Sequence, residues 1–169
     1  MTETEKKKLM EVIVQQHPGI LYKVARTYCP VVSEQQDLVQ EILLQIWKSL
    51  PRYDPHFALT TWLYRIALNT SISQYRKNAR NRAENLSLDD HRVAHITVAD
   101  ISDREASLQQ LDQFISELNE LDKALILLCL EDRSHAEIAD ILGISTSNVG
   151  TKTGRIKDKL KKRFSSFNT

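Results

Sequence analysis

Cysteine, glycine and proline are scarce in this chain of 169 residues, at two, four and four. Cys29 and Cys129 have no CxxC neighbour and no histidine at ligand spacing, so neither zinc nor a disulfide is expected. They read as reduced, buried thiols of a cytoplasmic protein. Four glycines and the lack of alternating β-branched runs argue against a sheet and for an all-α chain. No apolar run approaches the length of a membrane span, so no membrane insertion is expected. The N-terminus, MTETEKKK, is charged and lacks the apolar stretch of a secretory signal. Charge of one sign is also missing overall, since 23 basic and 22 acidic side chains leave a net charge of +1. What matters is therefore where the charges fall.

Helical periodicity runs through most of the chain. One pattern covers Glu3 to Gln16 and ends at His17-Pro18-Gly19; Ile20, Leu21, Val24 and Ala25 mark a second, stopped near Cys29-Pro30. Ser33 with Gln36 has the spacing of a capping box opening a third helix. In that helix Leu38/Val39, Ile42/Leu43, Ile46/Trp47 and Leu50 form one apolar stripe, which leaves Asp37, Gln40, Glu41 and Lys48 facing away. Pro51 and Pro55 prevent Pro51 to Thr61 from being helical throughout. A fourth helix follows, with Trp62, Leu63, Ile66, Ala67 and Thr70 expected inward and Tyr64, Arg65, Asn69, Tyr75, Arg76 and Lys77 outward. These helices are short enough to depend on mutual packing, expected around Trp47 and Trp62.

Aromatics are concentrated here. Tyr53, Phe57, Trp62, Tyr64 and Tyr75 are five of the eleven in the chain, and Arg76, Lys77, Arg80 and Arg82 follow at once. Rings beside cations suit a single strand of nucleic acid, the rings stacking on unpaired bases and the cations tracking phosphates. Spacing alone leaves open a plain helical core with a solvated basic edge. The motif D-L-V-Q-E at Asp37 to Glu41, with Trp47 a few turns on and then T-W-L-Y-R-I-A-x-N at Thr61 to Asn69, resembles region 2 of the sigma-70-type initiation factors of bacterial RNA polymerase. The extracytoplasmic-function (ECF) group is the nearest pattern.

The last third carries a second such motif. Leu108, Leu111, Phe114, Ile115 and Leu118 resume the helical period, followed by Leu121 to Leu130 and a break at Asp132-Arg133. Ala136, Ile138, Ala139 and Leu142 fit a short helix, and Gly143 suits the left-handed residue of a helix-turn-helix. Ser145 or Thr146 then caps a helix with Val149, Thr153, Ile156 and Leu160 inward, and Ser147, Thr151, Lys152 and Arg155 outward. Lys152, Arg155, Lys157, Lys159, Lys161, Lys162 and Arg163 face Asp158 alone, a balance of +6. Such a helix suits a major groove. The pattern resembles region 4 of sigma factors, although LuxR-type regulators carry a similar unit.

Between the motifs the balance reverses. From Glu84 to Asp122 ten acidic residues stand against Arg92 and Arg104. Residues 83–103 lack a sustained period and read as a linker. His91 and His95 are at helical ligand spacing with nothing to complete a metal site, and Asp89-Asp90-His91 is a weak hydrolase signal. The resemblance places this acidic linker near the polymerase cleft, where Asp89, Asp90, Asp100 and Asp103 would mimic nucleic-acid charge.

The expected architecture is two small helical domains joined by a flexible linker: 1–82 for region 2, 83–103 for the linker and 104–169 for region 4. The resemblance implies a non-enzymatic, cofactor-free, cytoplasmic sigma factor. Asp37, Gln40 and Glu41 would dock on the β′ clamp helices of core RNA polymerase, and region 4 on the β flap. Tyr53, Phe57, Trp62, Tyr64, Arg65, Asn69, Arg76 and Lys77 would take the melted −10 element of promoter DNA. Ser147, Asn148, Thr151, Lys152 and Arg155 would read the −35 duplex, and an anti-sigma factor typically restrains such proteins. Three departures stand out: His135 at a usually aromatic position, Gly150 and Gly154 one turn apart in the recognition helix, and the loop sequence RYDPHFA. The rival readings are a stand-alone helix-turn-helix regulator and an enzyme acting on nucleic acid.

Overall fold

The computed structural model describes residues 1–85 and 102–166. These residues form eight α-helices and one 3-10 turn: α1 Glu3–Gln16, α2 Pro18–Tyr28, α3 Val32–Ser49, the turn Leu50–Arg52, α4 Leu59–Asn85, α5 Asp103–Glu117, α6 Glu120–Leu130, α7 His135–Leu142 and α8 Thr146–Ser165. The fold is all-α, as the composition implied.

Caps set most boundaries. Thr2, Ser102 and Ser134 each close a capping box, with Glu5, Glu105 and Glu137 respectively. The fragment Ser33–Gln36 does not: α3 starts at Val32 with Val31 as its N-cap and no side-chain cap bond. Ser33 therefore sits inside the first turn, where its hydroxyl cannot serve the free N–H groups as a cap. At the end of α6, Asp132 adopts φ 55, and the Asp132 and Arg133 N–H groups return to the Cys129 and Leu128 carbonyls at 3.1 Å. This is a Schellman closure with aspartate in the place usually held by glycine. Gly143, at φ 69, ends α7 in the left-handed conformation expected of it.

The first four helices pack around Ile13, Val24, Ile42, Ile46, Leu50 and Leu63, all essentially inaccessible. Trp47 and Trp62 are only half-buried at the margin of this core rather than at its centre. The second core joins α6, α7 and α8 through Leu125, Leu128, Ile138, Val149 and Ile156. Ile141 is buried as well, whereas Ala136 is exposed. Replacing any of these buried leucines or isoleucines by alanine costs about 2–5 kcal/mol.

The two halves also pack on each other: α7 and α6 lie on α4, while α6 and α5 lie on α2. This explains two departures from the periodicity of α4. Tyr64, expected outward, is 1% exposed, with the Arg133 guanidinium 5.1 Å from its ring centre. Leu68 and Ser71 are buried too, because α4 has apolar neighbours on more than one side. α4 also runs to Asn85, so 83–85 of the expected linker are helical. His91, His95 and the Asp89-Asp90-His91 triplet lie outside the described residues, as do Asp89, Asp90 and Asp100 of the acidic segment; Asp103 opens α5.

Candidate polymerase and nucleic-acid interface

On α3 the structure leaves Asp37 and Gln40 exposed, while Glu41 is half-buried and accepts a 2.8 Å bond from Gln45 Nε2. Asp37 and Glu41 rim a cleft of about 390 Å³ that Ser71, Gln74 and Asn78 of α4 close from the other side. The Ser71 hydroxyl in its wall is buried and has no partner. This face is a carboxylate-edged, hydrogen-bonding surface suited to a basic or polar protein partner.

The loop between α3 and α4 has a defined shape. Its 3-10 turn leads to Tyr53, whose ring lies 4.9 Å from that of Trp62 at 49° and whose hydroxyl donates to the Phe57 carbonyl at 3.0 Å. Asp54 accepts the His56 backbone N–H at 3.0 Å and faces His56 Nδ1 at 2.7 Å. The backbone bond, then the ring, hold the Asp54 carboxyl below its ordinary pKa range. Together these contacts present Phe57 at the loop tip, 66% exposed. A large ring is held out to solvent by a loop folded around it.

Arg65, Asn69 and Arg76 follow along one exposed edge of α4, at spacings of four and seven, with Lys77 beside them. Tyr75 is half-buried, edge-on to Tyr28 with centroids 6.1 Å apart, and carries Lys123 Nζ 4.5 Å from its ring centre. Arg65 Nη2 donates to the Asp140 carbonyl at 2.6 Å, and Arg76 Nε donates to Glu120 at 2.8 Å. The paired guanidinium, first of all, keeps the Glu120 carboxyl below its usual range. Tyr28 donates its hydroxyl to the Glu120 carbonyl at 2.6 Å, and burial pushes that phenol well above its ordinary pKa.

On α8, Ser145 is the N-cap and accepts the Asn148 N–H at 3.1 Å. Val149, Thr153 and Ile156 turn inward, and Ser147, Asn148, Thr151 and Arg155 are exposed; Lys152, expected fully outward, is half-buried. Thr151 bonds back to the Ser147 carbonyl at 3.1 Å, leaving its oxygen available as an acceptor. A Cβ built on Gly150 would meet the His135 ring at 3.8 Å, an ordinary contact, and one on Gly154 would meet nothing within 4 Å. Arg163 does not join the basic face. It clamps Glu117 of α5 with both terminal nitrogens, which depresses the Glu117 pKa and raises its own.

The structure thus gathers the −10 candidates into the loop tip and one edge of α4, except Tyr64, which burial removes. The −35 candidates share one face of α8. Lys123 (4% exposed), Arg133 and Glu120 were invisible as site neighbours in the sequence, because their partners lie on other helices far along the chain. Among the described residues, no cluster of His, Cys, Asp or Glu could hold a metal ion, and no helix is long and apolar enough to cross a membrane.

Two family models match the chain: sigma-70 region 2 over residues 13–81 and sigma-70 region 4 over residues 108–160. The RNA polymerase sigma factor NccH of Alcaligenes xylosoxydans xylosoxydans is 30% identical over 155 residues, covering 88% of this chain and 82% of NccH. The chain belongs to the sigma-70 family, in its ECF group. The ECF RNA polymerase sigma factor SigE of Mycolicibacterium smegmatis is 28% identical, with 88% of this sigma factor and 59% of SigE aligned. The fold of this chain matches that of the sigma factor RpoE of Bartonella quintana, solved with the anti-sigma factor NepR. The TM-score is 0.71 at 22% identity, covering 97% of this chain and 98% of that one.

Proposed function

We propose that this sigma factor divides promoter recognition between the surfaces described above, with residues 1–82 and 104–169 as its working units and 83–103 joining them. Asp37, Gln40 and Glu41 dock on the clamp helices of the polymerase β′ subunit, and the second unit sits on the β flap. Phe57, with Tyr53 and Trp62 behind it, receives an unstacked base of the −10 element. Arg65, Asn69, Arg76 and Lys77 hold the neighbouring strand. Ser147, Asn148, Thr151, Lys152 and Arg155 lie against the −35 duplex, where one good bidentate contact discriminates by roughly 1–3 kcal/mol. Catalysis belongs to the polymerase, and the site of action is the cytoplasm. RpoE of Bartonella quintana was solved with an anti-sigma factor, which supports a similar restraint on this chain.

The observation that carries this reading is Phe57, a 66% exposed ring on a loop ordered by its own hydrogen bonds, leading straight into a row of exposed Arg and Asn side chains. The test is binding to core polymerase followed by run-off transcription, wild type against Asp37→Ala/Glu41→Ala. The wild type is expected to bind and initiate and the variant to lose both. A wild-type protein that shifts DNA but ignores polymerase would make it a stand-alone regulator instead.

A further inference from the structure

Among the described residues the buried polar or charged side chains are Ser71, Lys123 and Thr153. The Thr153 hydroxyl lies 3.9 Å from Cys129 Sγ, and Ser71 opens on the cleft beside Asp37. Lys123, only 4% exposed, is the one that carries a charge. Its ammonium lies 4.5 Å from the centre of the Tyr75 ring, and among the described residues it has no hydrogen-bond acceptor and no ion pair. Glu120, one turn earlier on α6, bonds Arg76 instead. A ring face engages one of the three ammonium donors, and a charge taken out of water with the others idle is costly.

Lys123 lines a cleft of about 660 Å³ to which α2, α3, α4 and α5 also contribute, a size suited to a small molecule. Pro30, Ala79, Ala83 and Ile115 give it apolar wall. Arg26 and Arg82, both exposed, line it without an ion pair among the described residues. Asp112 and Glu34 line it too, and Glu34 already accepts the Cys29 thiol at 3.5 Å. Arg26, Arg82 and Lys123 against these two carboxylates leave one positive charge over.

We propose that this cleft binds a small organic acid as its monoanion: the carboxylate accepts the idle N–H groups of Lys123, and an apolar body lies against Pro30, Ala79, Ala83 and Ile115. The charge balance selects the head group. One carboxylate matches the single cation left over. A phosphate monoester carries about −1.5 to −2 at neutral pH and would bring its surplus charge up against Asp112 and Glu34. None of the side chains that would hold this ligand is assigned to polymerase or DNA above, so the site is independent of that reading.

The test titrates the isotope-labelled full chain with naphthoate, its neutral amide naphthamide, and naphthyl phosphate, followed by amide chemical shifts. Naphthoate is expected to move the amides of Cys29, Ala79 and Lys123 and to bind about tenfold more tightly than naphthamide. In Lys123→Met, which keeps the stem and removes the charge, that preference should fall to about one while naphthamide binds as before. The charge-matched Lys48→Met on α3 should keep it. Naphthoate that leaves those amides unmoved, or a preference that survives Lys123→Met, would overturn the proposal. Equal losses for naphthoate and naphthamide in Lys123→Met would also overturn it, since they would make Lys123 a packing residue. Naphthyl phosphate bound more tightly than naphthoate would overturn the choice of a monoanion. If Lys123→Met does not fold, Arg26→Gln/Arg82→Gln makes the same comparison on exposed residues. There the preference should drop about threefold, and an unchanged preference would count against the site.

Discussion

Phe57→Ala tests the proposed capture of a base separately from the protein's other contacts. The ring is 66% exposed, and its order comes from the Tyr53 hydroxyl on its carbonyl and from its own N–H on the Asp54 carbonyl at 3.1 Å. Truncating it removes little packed surface, so the unfolding midpoint should stay within about 0.5 kcal/mol of wild type. Stacking of one base on an aromatic ring is worth about 1–3 kcal/mol, which converts to a loss of about five- to 150-fold in open-complex stability. Binding to core polymerase should not change, because Phe57 lies on the loop and not on the Asp37 face. Heparin-challenged open complexes on a promoter found by run-off mapping provide the assay. Tyr53→Phe supplies an internal scale: it deletes only the bond that steadies the loop, and should cost a smaller part, about 0.5–1.5 kcal/mol. If Phe57→Ala forms open complexes as stable as wild type, the loop is not the receiving pocket. If it unfolds the protein instead, the ring is a packing residue and not a free stacking surface.

Tyr64→Ala should behave in the opposite way, losing about 3–5 kcal/mol in urea unfolding, because its ring is buried beneath Arg133. Ser134→Ala removes the N-cap of α7 and should cost about 1 kcal/mol by the same measurement, with little effect on binding to core polymerase. Glu117 and Glu120 have folded pKa values depressed by Arg163 and Arg76, so their contribution to stability is present above the ordinary value of 4.5 and lost as pH falls below it. Urea midpoints on either side of that value should fall less in Glu117→Gln/Glu120→Gln than in wild type. Gly150→Ala should raise the thermal midpoint by the equivalent of about 1 kcal/mol, since its Cβ makes only ordinary contact with His135. A destabilised Gly150→Ala would mean that the glycine answers a packing demand in the free chain.

Local signals carried the fold a long way. Apolar spacing found the helices, Gly143 and Ser145 marked the helix-turn-helix, and the paired motifs placed both units in order. What escaped had its cause elsewhere in the chain. Ser33 has the right neighbour for a capping box, but the helix begins two residues too early for it to act as the cap. Tyr64 has the right spacing for a solvent-facing residue, yet a second layer, α6 and α7, covers that side of α4. Arg163 reads as one more cation in a DNA-binding run until its partner Glu117, on another helix, takes it out of play. Periodicity reports one buried face per helix; it cannot report a second.

That second face connects the fold to the reach of the protein. The −35 and −10 elements are named for positions about 25 base pairs apart, which is about 85 Å along a duplex at 3.4 Å per step. A chain of this length folded as one compact body has a radius of gyration of about 15 Å. With α7 seated on α4, the loop tip at Phe57 and the face of α8, in the roles proposed for them above, cannot meet both elements together. The contacts between the halves must therefore be of a kind that polymerase and DNA can replace. Their composition suits this: Arg76–Glu120 and Lys23–Glu131 are partly exposed ion pairs, each worth no more than about 1 kcal/mol. Opening would also uncover Tyr64, so its cost would have to be met by holding the Asp37 face and the second unit at separate places on polymerase, with a phosphate replacing the partner of each released cation. The seam is mixed: Tyr64, buried under α6 and α7, gives it an apolar part, while Arg76–Glu120 and Lys23–Glu131 are the charges that phosphates could replace.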